Sequence, residues 1–202
     1  MPEEAHAWSK YHRALHWSVA VCVIALVPVG LLIDGYERET VQAVDRALGK
    51  GAFNTIYDLH KSVGLTVLAL MALRVISRAT KPAPTYAKPL KPFEKMVSGL
   101  VHGSMYLLLL VVPIVGWIGV SAYPAPAPVF FLFDAKLPIE ADRALSERLL
   151  SDVHGPLGIL LAILALAHLG AALKHRMEKD GVWERMVPPR EASDAAEAAE
   201  AD

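Results

Sequence analysis

The sequence predicts an all-α transmembrane four-helix bundle with both termini in the cytoplasm, and two observations of composition support this fold class. Hydrophobic residues make up 54% of the 202 residues, and the mean hydropathy of +0.36 is high for a water-soluble domain. The apolar residues also cluster in four segments, each close to the roughly 20 residues that cross a bilayer core. These predicted spans cover about 15–33, 60–79, 99–122 and 150–174.

The distribution of positive charge predicts the orientation. Twelve Lys and Arg residues flank the spans on the side that carries both termini, and six flank them on the other side. The positive-inside rule therefore places both termini in the cytoplasm. The first span follows Lys10 and Arg13, as in a signal peptide, but its apolar core is long and no A-x-A cleavage site follows, so we expect a retained span. The basic cytoplasmic rim suits anionic lipid headgroups, and nothing indicates nucleic acid as a partner.

The connections differ in composition. Residues 80–92 are rich in Pro and Lys and predict a short extended cytoplasmic link. Residues 34–58 are predicted to form an outer loop. Residues 123–138 combine prolines with aromatic residues, and we expect them to lie along the outer membrane interface or to cap part of the bundle.

The fourth span is predicted to begin well before its apolar core. Leu145, Leu149 and Leu150 recur at helical spacing, and Pro156 predicts a kink, which membrane helices tolerate. A single membrane domain over 1–190 follows. The acidic, Ala- and Glu-rich residues 191–202 are predicted to be a disordered tail.

Four histidines carry the functional prediction. His154 and His168 lie on one apolar helix about 21 Å apart, near opposite ends of the span and on roughly the same face. His16 and His60 each begin another span, and depth pairs His16 with His168 on the cytoplasmic side and His60 with His154 on the outer side. Imidazoles in hydrocarbon are costly and mark candidate functional sites, although a helix–helix hydrogen bond or an interfacial position also accounts for any one of them.

Each pair predicts a haem site. Two imidazoles from different helices fill both axial positions of a haem iron, an arrangement that favours electron transfer over oxygen binding. Gly64 lies one turn beyond His60 on the same face. The chain has no CxxCH motif and a single cysteine, Cys22, so we expect the haems to be bound without covalent attachment.

The remaining histidines and one intramembrane arginine have weaker predicted roles. His12 is one turn before His16 and could replace it as a ligand, whereas His102 favours a quinone or propionate contact. His175 is a candidate hydrogen-bond donor to a haem propionate, and His6 is predicted to be a solvated residue. Arg74 is expected either to snorkel to lipid phosphate or to pair with a haem propionate.

Several sequence motifs indicate a known family. They are LHW at His16, LHKSVG at His60 followed by LRVISR, YLLLLVVPIVGW in the third span, the two histidines of the fourth span, and DGVWERMVPP near the end. Over residues 8–189 the chain resembles the bacterial cytochrome b561 family. The outer run GYERETVQAVDRALGKGAFN departs from the family pattern.

The resemblance implies a multi-pass protein of the bacterial inner membrane with two non-covalent haem b groups. The axial ligands would be His16 and His168 for the cytoplasmic-side iron, and His60 and His154 for the periplasmic-side iron. It implies electron exchange with ubiquinone or ubiquinol. Some members oxidise superoxide at the periplasmic face, so the implied activity is either a superoxide:ubiquinone oxidoreductase or an electron-transfer cytochrome. The resemblance assigns no catalytic residue.

Three alternative functions stay open at this point. A cytochrome b subunit that passes electrons from a periplasmic hydrogenase- or dehydrogenase-type partner to quinone would use the same haems. The H-x-x-x-H spacing of His12 and His16 also occurs in membrane non-haem di-iron oxygenases, but the further histidine clusters that such sites need are missing from the sequence. A cofactor-free membrane scaffold would leave several intramembrane imidazoles without a purpose.

Overall fold

The computed structural model describes residues 6–33 and 38–188. Within those residues, the chain forms six α-helices and one π-helical segment, Arg148–His154, that joins the last two helices. The helices are α1 (Lys10–Ile33), α2 (Arg38–Leu48), α3 (Ala52–Thr80), α4 (Pro92–Ala122), α5 (Arg143–Glu147) and α6 (Gly155–Glu178). The predicted tail, 191–202, lies outside the described residues, and the domain boundary at 190 stays a prediction.

Four helical rods are long and apolar enough to cross a membrane within the described residues. They are α1, α3, α4 and the continuous rod Arg143–Glu178, which confirms the predicted four-helix membrane fold. In the bundle, α1 packs on α3, α3 on α4, and α4 on α6, while α1 also contacts α6 and closes the ring. Because the number of spans is even, both ends of the bundle domain lie on one face. We call this the terminal face and the opposite one the loop face.

The core lies midway along the bundle, and the outer surface is apolar. Buried Val67, Met71, Leu109 and Val112 interlock α3 and α4 at this level, with further side chains from α1 and α6. Large aliphatic side chains also point outward, among them Ile24, Leu107, Ile163 and Leu166 at 72%, 62%, 57% and 69% exposure. An apolar exterior around a narrow core is what a helix bundle in lipid requires, because lipid solvates these side chains.

The predicted outer loop at 34–58 contains more helix than expected. Residues 38–48 form α2, and α3 already begins at Ala52. The carboxylate of Asp45 on α2 accepts hydrogen bonds from the backbone N–H groups of Gly51 and Phe53, each at 3.0 Å. The N–H of Phe53, followed by that of Gly51, lowers the pKa of Asp45 below its usual value. These bonds satisfy free N–H groups near the start of α3 and fix α2 against it.

Residues 123–138 cap the loop face through a two-stranded hairpin, the one β-sheet among the described residues. Strands β1 (Pro128–Val129) and β2 (Phe133–Asp134) pair antiparallel. The hairpin is held on α3 by Ser62, which is 1% exposed and whose hydroxyl accepts a hydrogen bond from the N–H of Phe130 at 2.8 Å. Of the two positions predicted for residues 123–138, the structure has the one in which they cap part of the bundle.

A π-helical segment directly precedes Pro156, the residue at which a kink is predicted. Pro156 lacks the N–H that would continue regular helical bonding, and the preceding N–H of Gly155 bonds to the carbonyl of Leu150, five residues back. A π segment changes the rotation of the helix locally, and such segments are frequent at functional sites. Here it ends at His154.

Candidate functional site

The structure brings the four selected histidines together as two pairs. The imidazole ring centres of His16 and His168 are 6.2 Å apart, with an angle of 64° between the rings. Those of His60 and His154 are also 6.2 Å apart, at 75°. The first pair lies toward the terminal face and the second toward the loop face, as depth along the spans predicted. Each pair joins two different spans.

The ring of His154 is oriented by α4. Its Nδ1 lies 3.0 Å from the carbonyl oxygen of Val112, which can only accept, so Nδ1 carries the proton and Nε2 carries the lone pair. The ring packs directly on Gly116, where a Cβ would lie 2.9 Å from two ring atoms. Only glycine leaves room for this close approach of an imidazole to a helix backbone.

The other ring of the loop-side pair, His60, has a buried Nδ1 that finds no hydrogen-bond partner among the described residues. A buried imidazole nitrogen without a partner is costly. Gly64 and Gly158 lie one turn beyond His60 and His154, and a Cβ at either position would meet nothing within 4 Å in the described chain. The chain therefore leaves space open at both glycines, one turn along the helix from each ring of the loop-side pair.

The terminal-side pair is accompanied by a buried cation. Arg74 on α3 is 8% exposed, so it points into the bundle and does not snorkel to the lipid surface. Its guanidinium lies 5.2 Å from the ring centre of Tyr106, and one terminal nitrogen is 3.5 Å from Nδ1 of His16, at the outer limit of a hydrogen bond. Its buried Nε has no hydrogen-bond partner within the described ranges. The guanidinium thus retains donor capacity toward an anionic group.

A third imidazole lies beside the terminal-side pair. The ring of His102 on α4 is 5.0 Å from that of His168 and nearly perpendicular to it, at 85°. His102 is exposed on the surface of the chain. Its Nδ1 is 2.7 Å from the carbonyl oxygen of Ser98, so the ring is fixed to its own helix.

The remaining histidines have local partners. His12 is 2% exposed, stacks on Trp8 and has its Nδ1 3.3 Å from the hydroxyl of Ser77. His175 bonds to the carboxylate of Asp180 near the end of α6. Exposed His6 contacts the hydroxyl of Thr85 at 3.1 Å. None of these three histidines belongs to either of the two facing pairs.

Sequence reasoning did not identify the residues that hold the rings in place. Gly116 and Val112 orient His154, and the ring of Tyr106 contacts the guanidinium of Arg74. Glycine in an apolar helix costs about 1 kcal/mol relative to alanine and is a recognisable signal of close packing. The carbonyl of Val112 and the ring of Tyr106 give no such signal, because their roles depend on how α4 is rotated.

Comparisons with known proteins show the family of the chain. A family model described as prokaryotic cytochrome b561 matches residues 7–189. The chain belongs to the prokaryotic cytochrome b561 family. Among its relatives is cytochrome b561 homolog 2 of Escherichia coli (strain K12), 27% identical over 175 residues, which covers 86% of this chain and 87% of the relative. Another is a probable superoxide oxidase, CybB, of Yersinia pestis, 27% identical over 137 residues, which covers 65% of this chain and 74% of the relative.

Family membership establishes the general role and location of this cytochrome b561. It is a multi-pass protein of the bacterial inner membrane, it belongs to a family that binds haem b, and its function is membrane electron transfer.

Proposed function

We propose that this protein carries electrons across the membrane through two b-type haems and exchanges them with ubiquinone. In this proposal His16 and His168 bind the terminal-side iron, and His60 and His154 bind the loop-side iron. The single observation that carries it is the equal spacing of the two imidazole pairs, 6.2 Å between ring centres in each.

That spacing is the one that a shared metal ion requires. A metal–imidazole bond is about 2 Å long and the bonding nitrogen lies about 1 Å from the ring centre, so two imidazoles on opposite sides of one ion have centres about 6 Å apart. Two imidazoles in direct hydrogen-bonding contact would lie closer together. The open space beside Gly64 and Gly158 gives a flat ligand room at the loop-side pair.

The surrounding groups fit the same role. The carbonyl of Val112 fixes the proton of His154 on Nδ1 and leaves the lone pair of Nε2 for iron, and such partners also raise the basicity of a ligand. If His16 binds iron through Nε2, its Nδ1 becomes a donor and no longer accepts from Arg74. The guanidinium of Arg74 is then available to a haem propionate, because its N–H groups can donate two parallel hydrogen bonds to a carboxylate.

When bound, a haem held by two imidazoles gains and loses one electron at a time and has no open position for oxygen. In this proposal the chain provides two such sites at different depths, on membrane-spanning helices that run between the terminal face and the loop face. Reduction of one ubiquinone to ubiquinol consumes two electrons and two protons. Two superoxide ions supply the two electrons and leave as two oxygen molecules.

The first test is the haem content of the purified protein. We expect a dithionite-reduced minus oxidised spectrum with sharp low-spin b-type bands, and about two haems per chain in a pyridine haemochrome assay. His168→Ala should remove the terminal-side haem and retain the other, whereas the matched control His6→Ala should retain both. Loss of both haems or of neither in His168→Ala contradicts the pairing, and a colourless, iron-free protein contradicts the proposal itself.

The second test concerns the electron donor. The name of the Yersinia pestis relative, probable superoxide oxidase, supports superoxide as a candidate donor at the loop face. We expect superoxide, generated enzymatically, to reduce both haems in stopped-flow spectra and to support reduction of ubiquinone, with superoxide dismutase abolishing both. Haems that superoxide leaves oxidised, together with co-purification of a large iron–sulfur protein, would favour the hydrogenase- or dehydrogenase-type alternative.

A further inference from the structure

The imidazole of His102 occupies an unusual position for a membrane span. It lies ten residues after Pro92, the first residue of α4, which is about 15 Å along the helix. His168 lies ten residues before Glu178, the last residue of α6, so the two rings are at the same depth. His102 is nevertheless exposed on the bundle surface. The chain itself therefore leaves this imidazole uncovered on a membrane-spanning helix, where a polar group without a partner is costly.

The hydrogen bond to Ser98 decides what His102 offers to its surroundings. A carbonyl oxygen can only accept, so Nδ1 at 2.7 Å carries the proton. The neutral ring therefore presents the lone pair of Nε2 as a hydrogen-bond acceptor. A partner for this nitrogen must carry a hydroxyl or N–H group and must be able to reach it from the bilayer.

The surface around His102 leaves room for such a partner. Gly99 and Gly103 lie on the same stretch of α4, and Gly170 lies on α6 close to His168. A Cβ added at any of the three would meet no atom within 4 Å in the described chain. Exposed small residues on two neighbouring spans allow a flat ring to approach the helix backbones.

We propose that His102 positions the head group of a ubiquinol or ubiquinone beside the terminal-side histidine pair, with its Nε2 accepting a hydrogen bond from the quinol hydroxyl. This inference rests on the proposed function. His102 is a positioning residue in this proposal, because it would hold the quinol beside His168 without binding the iron itself. The ring centres of His102 and His168 are 5.0 Å apart, and His168 is the proposed iron ligand. A quinol dissolved in the bilayer is a redox partner that can reach an exposed acceptor on a membrane-spanning helix.

A cavity at the terminal face is the competing location. It has a volume of about 550 Å³ and is lined by Arg13, Ala14, Trp17, Trp183, Met186, Val187 and Pro188. Trp17 stacks against His16, but neither member of the terminal-side pair lines this cavity. The contact between His102 and His168 is direct, so we place the head group at His102.

The test compares three variants of the haem-loaded protein in detergent. His102→Leu removes the acceptor, His102→Gln restores one through its amide oxygen, and His6→Leu is a matched change of an exposed histidine elsewhere. We expect His102→Leu to raise the KM for decylubiquinol about tenfold, the effect of one lost hydrogen bond, with a smaller change in kcat. His102→Gln should recover most of this loss, and His6→Leu should match the unmodified protein.

A binding measurement supplies a readout independent of turnover. We expect a photoreactive azidoquinone to label residues near His102 on α4 or near His168 on α6, as mapped by mass spectrometry, and labelling to fall in His102→Leu. Labelling confined to the cavity at Trp17 and Trp183, or an unchanged KM in His102→Leu, overturns the inference while leaving the haem proposal intact. Loss of a haem in His102→Leu also overturns it, since His102 would then hold the haem. Absence of haem from the unmodified protein is instead the failure of the proposed function.

Discussion

At the scale of single residues, the loop-side pair depends on one glycine. The ring of His154 lies on Gly116 and is fixed by the carbonyl of Val112, one turn earlier on α4. Ring position and proton position are thus both set by a helix that contributes no histidine to either pair. Control of a ligand by groups that do not touch the metal is a general property of metal sites.

We expect Gly116→Val to displace His154 and to remove the loop-side haem while retaining the terminal-side haem. Even the Cβ would lie 2.9 Å from the ring, closer than side chains approach each other. Haem content should fall by about half, measured by pyridine haemochrome. The matched control is Gly99→Val on the same helix, where a Cβ meets nothing within 4 Å in the described chain. Equal haem content in the two variants would contradict the dependence of His154 on Gly116.

At the scale of elements, the features that the sequence predicts correctly are those that depend on one apolar segment at a time. The four spans and the pairing of histidines by depth follow from hydropathy and from the position of each histidine along its span. The depth of a residue in the membrane depends only on its position along the span and on the helical rise per residue. The sequence therefore predicts that His16 and His168 lie at the same depth without information on how the helices pack. The ligand roles of these histidines stay predictions.

The elements that sequence reasoning missed depend on contacts between segments. Helix α2 is polar, and its place is fixed by the bonds from Asp45 to the first residues of α3. The β1–β2 hairpin depends on the buried hydroxyl of Ser62, sixty-eight residues away from its partner Phe130. The π-helical segment before Gly155 also widens a turn that periodicity alone treats as regular. No local pattern encodes these partners, so composition indicated only a loop at 34–58.

At the scale of the whole molecule, the two pairs lie at different depths in the membrane electric field. Electron transfer from the loop-side to the terminal-side pair therefore moves charge across part of the bilayer. One elementary charge moved through the full field costs or gains about 2.3 kcal/mol per 100 mV. If the termini are cytoplasmic, as the charge distribution predicts, an electron moving toward the terminal face moves against a negative-inside potential.

This asymmetry predicts that the two haems respond unequally to voltage. In right-side-out vesicles held by an external, membrane-impermeant redox buffer, a negative-inside potassium diffusion potential of about 100 mV should lower the reduced-to-oxidised ratio of the terminal-side haem by up to about 50-fold. The loop-side haem lies closer to the buffer and should change less. The His168→Ala protein should lack the strongly responding component of the spectrum. Equal shifts of both haems would contradict their different depths in the membrane. A larger shift of the loop-side haem would contradict the cytoplasmic position of the terminal face.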